Sequence, residues 1–191
     1  MKGLRVFSLI AILLLGSVSF ALAGSSTSYQ VKAYVPQTNG LSVSISKVLV
    51  PGDTWQTGQS SVDFGTLTFD TTYKIFRATC YYAVDVGVNS NNADWTISHT
   101  HYSVANGSNS LDNNINVDFV KQTSDTSGTS LQKTSFANSD KSFSKSQLSG
   151  GWLRIYYGIA TGKDDAPGVV PITTDKPYGQ YSGSVTLTLT P

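Results

Sequence analysis

The sequence predicts an all-β, immunoglobulin-like antiparallel β-sandwich of about seven to nine strands. Three observations carry that expectation. Apolar residues recur at every second position along most of the chain and almost nowhere at helical spacing. Ser, Thr, Asn, Gly and Tyr dominate while charged residues make up 13%, so the positions alternating with the apolar ones are hydroxylic rather than ionic. Gly-, Pro- and Asn-rich punctuation separates the periodic runs. Their unequal spacing, with one long polar stretch, favours a sandwich over an up-and-down barrel.

Lys2 and Arg5 precede an apolar run from Val6 to Leu15, followed by Gly16, Ser17 and the small-residue triplet Ala21-Leu22-Ala23. This is the pattern of a secretory signal peptide over residues 1–23, cleaved before Gly24. The apolar run is about half the roughly twenty residues a membrane span requires. The expectation is a secreted chain, periplasmic, surface-bound or extracellular, with a single domain over 24–191 and no transmembrane segment after cleavage. Cleavage removes two basic residues and no acidic one, which leaves eleven basic against twelve acidic residues and a net charge of −1. A near-neutral surface argues against nucleic acid as a partner, because little counterion release is available.

The elements follow in order. Tyr29, Val31, Ala33 and Val35 alternate with Gln30, Lys32 and Tyr34, and Pro36 to Gly40 breaks the run. Leu41, Val43 and Ile45 alternate with serines up to the Pro51-Gly52-Asp53 turn. A third strand is expected near Val62 to Phe69, and a more continuously apolar one over Tyr73 to Val88. Asn89 to Asn92 reads as a turn that would bring Asp94 to Tyr102 back as a hairpin. Val104 to Asn114 is loop-like, and Asn116 to Lys121 a short strand. Gln122 to Gly150 has only Leu131, Phe136, Phe143 and Leu148 as apolar punctuation, so it reads as a long surface excursion with a short helix around Ser142 to Leu148. Trp152 to Ala160 is a strong strand, with Trp152 and Tyr156 expected in the core. After a loop over Thr161 to Pro177, the chain ends in its cleanest alternation, Tyr181 to Thr190.

Chemical motifs are sparse. Cys80 is the one cysteine and reads as a buried thiol, so no intrachain disulfide is expected. His99 and His101 share a strand face without a third ligand at metal-binding spacing, and no metal or other cofactor is expected. Asp63-Phe64-Gly65 matches a kinase magnesium triplet without the rest of that machinery. Asp164-Asp165 lacks the ligand alternation of a calcium loop and reads as a solvated turn. No nucleophile-and-base pair or Gly-x-Ser-x-Gly elbow appears, so no catalytic residue is assigned and the chain is not expected to be an enzyme. Among the aromatic residues, Trp55 and Trp95 are candidate ligand platforms.

The opening Tyr29-Gln30-Val31-Lys32-Ala33-Tyr34-Val35-Pro36, then Leu41-Ser42-Val43 and Val62-Asp63-Phe64-Gly65-Thr66-Leu67, resembles the start of spore coat protein U and Csu-type archaic pilin domains. The ending from Tyr178 to Leu189, with its Gly-x-Tyr opening and alternating Thr and Val or Leu, resembles their terminal strand. The cysteine usual soon after the Val-Pro pair is replaced here by Thr38-Asn39-Gly40, and residues from about Asn89 to Gly150 match no family pattern. The resemblance implies a subunit of a fimbria-like or coat-like bacterial surface assembly. Its partners would be other copies of itself or related subunits, joined by an N-terminal assembly strand carrying Tyr29, Val31, Ala33 and Val35. The alternative expectation is a secreted module that binds glycans or another surface ligand.

Overall fold

The structure, a computed structural model, describes residues 30–124 and 127–191. The expected signal peptide, its cleavage point and Tyr29 lie outside the described residues. The chain divides into two units, Met1–Val35 and Pro36–Pro191. In the first, the described residues 30–35 belong to no strand and are all exposed.

In the second unit, alternation and β-branched content produce an antiparallel sandwich, the predicted fold class. Twelve strands are found among the described residues: β1 (Asn39–Leu49), β2 (Thr54–Gln59), β3 (Thr68–Asp70), β4 (Ile75–Arg77), β5 (Cys80–Ser90), β6 (Thr96–Asn106), β7 (Asn109–Ser110), β8 (Ile115–Ser124), β9 (Ser127–Ser135), β10 (Lys141–Ser144), β11 (Trp152–Ile159) and β12 (Ser182–Thr190). One sheet has six strands in the order β2-β1-β5-β11-β8-β9. The other runs β10-β6-β12, with β7 added to β6, and β3-β4 is a separate small hairpin.

The two large sheets bury a common core. Val84 and Val86 of β5, Val117 and Phe119 of β8, and Leu153 and Ile155 of β11 form one wall, met by Ile97 of β6 and Phe143 of β10. Ring contacts fix the overlay: Phe119 lies 5.4 Å from Phe143 and 5.2 Å from His99 of β6. Thus β6 and β10 cover β8 and β11, while β12 faces the β5 and β1 side and approaches β1.

Several expectations are corrected. Residues 30–38 are in no strand, and regular pairing begins at Asn39. Residues 62–67 are also irregular, since Asp63 turns back on the Gly65 amide and Phe64 packs edge-on against Tyr82. β5 and β6 do not form a hairpin: the Asn-rich turn carries the chain from one sheet to the other. The polar stretch 122–150 is largely strand, holding the end of β8, β9 and β10. Its expected helix is β10 followed by a turn. Edge strands need one buried face only, so Phe136, Phe143 and Leu148 are sufficient to fix it. Trp152 and Tyr156 do share a face, but the outward one, because Leu153, Ile155 and Tyr157 take the core positions.

Candidate assembly groove

Burial falls off sharply on one side of the sandwich. Val86 of β5 is fully buried, yet its directly paired neighbour Val43 on β1 is 50% exposed, although both point inward. Leu41 and Ile45, on the same inward face of β1, are only partly buried. Across the gap the pattern repeats. Ile97 and His99 of β6 are buried, whereas their β12 partners Leu189 and Leu187, together with Val185, are half-buried. β12 ends its sheet, so its second row of backbone N–H and C=O groups has no strand partner among the described residues. The result is a groove with Leu41, Val43 and Ile45 on one wall, Leu189, Leu187 and Val185 on the other, and an open strand edge beside them. At its far end the Asp63–Leu67 segment covers the core, with the Tyr82 hydroxyl donating to the Asp63 carbonyl at 2.5 Å.

The segment just before β1 is fastened at its root. Asn91 Nδ2 donates to the Pro36 carbonyl at 2.7 Å and its Oδ1 accepts from the Thr38 amide at 2.8 Å, while Gln37 and Asn39 bond to Asn92. Of the sequence-predicted assembly residues, Val31 is 84% exposed, Val35 is 76% exposed and Ala33 is exposed too. The groove residues were not singled out from sequence. Their signal was the apolar alternation of two strands, which does not say that one side of each stays uncovered.

The other candidates separate cleanly. Trp95 is 5% exposed and sits in the core, which leaves it no ring face for a ligand, whereas Trp55 is 43% exposed. His99 is buried, its Nε2 hydrogen-bonded to the Tyr157 hydroxyl at 2.8 Å, and desolvation lowers its pKa to about 4. His101 Nδ1 bonds instead to Asp140 at 2.7 Å. The two imidazoles therefore have separate structural partners, and no cluster suited to a metal occurs among the described residues. Asp165 accepts from Asn116 Nδ2 and from the Thr161 and Gly162 amides, pinning the loop after β11. Cys80 is buried, and its burial pushes the thiol pKa up. No helix among the described residues is long and apolar enough to cross a membrane.

No family model and no curated protein matches the chain. One solved structure, of a chaperone-tip adhesin complex in CFA/I fimbriae biogenesis, is similar over 77% of this chain at 14% identity and a TM-score of 0.39. The chain spans 42% of the length of that solved chain.

Proposed function

We propose that this chain is a non-catalytic, secreted subunit of a fimbria-like or coat-like surface assembly, in which the segment preceding β1 of one copy fills the β1–β12 groove of the next. One observation carries the reading: an uncovered apolar groove with an open strand edge occurs in the same chain as an exposed, unpaired, alternating segment. The dimensions agree. At about 3.3 Å per residue, Val31 to Val35 spans about 13 Å, as do Leu41 to Ile45 and Val185 to Leu189. Strand addition would satisfy the free edge of β12 while Val31, Ala33 and Val35 bury the half-open wall residues.

Direction favours an occupant from a second copy. The root of the segment is tied to the β5–β6 turn, and β12 runs towards that same end, with Thr190 opposite Thr96. Folded back into its own groove, the segment would run parallel to β12. A strand from another copy is free to run antiparallel, the more stable pairing. An edge left open would also invite uncontrolled association, so a defined occupant protects the subunit.

The test compares the chain starting at Gly24 with one starting at Gln37, by size-exclusion chromatography with light scattering and negative-stain imaging. Oligomers or filaments from the first and none from the second are expected. Two equally stable monomers would overturn the reading.

A further inference from the structure

The two outer faces of the sandwich are built differently. On the smaller sheet the outward residues of β6 and β12 are Thr96, Ser98 and Thr100 in register with Thr190, Thr188 and Thr186, as a plainly solvated face requires. The outer face of the six-stranded sheet carries Trp55, Tyr81, Trp152, Arg154 and Tyr156 instead. The core does not use them, because the alternate residues of the same strands already fill it.

These side chains hold one another in place across the face. A Cβ placed on Gly87 would come within 2.9 Å of the Trp152 ring, so the indole lies over the backbone of the residue paired with it on β5. Trp55 projects from β2 and Arg154 from β11, and the guanidinium lies 5.1 Å from the indole centroid above the intervening strands. Arg154 is held in turn by Asp85, with Nε donating to Oδ1 at 2.6 Å and Nη2 to Oδ2 at 2.7 Å. The Tyr156 ring lies 5.9 Å from the same guanidinium, and Tyr81 is 6.1 Å from Tyr156. Trp55 thus has a cation against its ring while much of the side chain remains open to solvent.

The geometry points to a saccharide-binding face: the outer surface of the six-stranded sheet takes a neutral, β-linked polysaccharide chain whose pyranose rings stack on Trp55 and Trp152. The axial C–H bonds of a pyranose present a weakly positive surface that suits the negative face of an indole. The Arg154 charge is matched by Asp85, and Asp118 and Lys133 on the same face are opposite in sign and directly paired across β8 and β9, so the face selects a neutral ligand rather than an acidic one. Rings fixed in advance lose little conformational freedom on binding. This face lies on the side of the sheet away from the assembly groove, so it stands or falls independently of the proposed strand exchange.

The test titrates the purified chain with cellohexaose and with chitohexaose, following the three tryptophan indole N–H signals by NMR, alongside retention on insoluble cellulose and chitin. With at least one glycan, the Trp55 and Trp152 signals are expected to shift while that of buried Trp95 stays. Trp55→Ala should weaken binding by about tenfold or more, the effect of losing one stacked ring. Thr188→Ala on the other outer face should change nothing. Shifts confined to Trp95, no response to either hexasaccharide together with no retention on either solid, or undiminished binding by a folded Trp55→Ala chain would each overturn the proposal. The NMR readout decides the matter even where that variant fails to fold.

Discussion

Val43 and Val86 are the same residue type, paired across two strands and pointing inward, yet one is half in solvent and the other fully buried. Truncating them should therefore differ in cost. Val86→Ala is expected to lower stability by about 2 kcal/mol and Val43→Ala by less than about 1, read as shifts in the urea unfolding midpoint. Equal losses would mean that the β1 wall is covered after all. His99 gives the second residue-scale prediction. Burial depresses its folded pKa to about 4 from 6.5, against weaker opposing effects from the Ser139 backbone and the Asp140 carboxylate. The unfolded chain therefore binds the extra proton first, and stability falls as pH drops from about 6.5 towards about 4. His99→Gln should flatten that part of the stability profile. Asp70, Asp140 and Asp175 have lowered carboxyl pKa values, so their contribution is lost only at more acidic pH.

At the scale of elements, β10 is short and polar, attached to its sheet through β6 alone, and anchored by Phe143 against Phe119. Phe143→Ala is expected to cost about 3–5 kcal/mol, measured by chemical denaturation, although three of the four β10 residues are polar. The same anchoring explains what could be read from sequence. β5 and β11 were legible because a full buried face leaves an apolar residue at every second position, and β12 because its half-buried face keeps the same alternation. β10 was not, since an edge strand fixed by the single aromatic residue Phe143 resembles a polar loop, and β9 carries no aromatic residue at all. β2 was missed for a similar reason: none of its residues is buried, and Trp55 turns outward onto Arg154. The Tyr29–Val35 alternation was visible, but the period of a segment does not say which molecule it pairs with. Trp55 and Trp95 looked equivalent as aromatic residues near turns, and only the sheet assignment of their neighbours separates a core ring from a surface one.

For the whole molecule, the sandwich is complete on the side where β6 and β10 cover β8 and β11, and open where β12 faces β1. The proposed strand exchange would place in this open side a segment whose described residues 30–35 carry strand periodicity without strand pairing. The most direct measurement is the thermal unfolding of the chain starting at Gln37, with and without a synthetic peptide of residues 27–36, and with the same peptide carrying Val31→Asp and Val35→Asp. Strand addition to the β1–β12 groove predicts that the native peptide raises the unfolding temperature in a concentration-dependent way, that the doubly substituted peptide does not, and that Val43→Asp in the chain removes the effect. An unfolding temperature indifferent to the native peptide at saturating concentration, in a chain already as stable as its longer form, would contradict it.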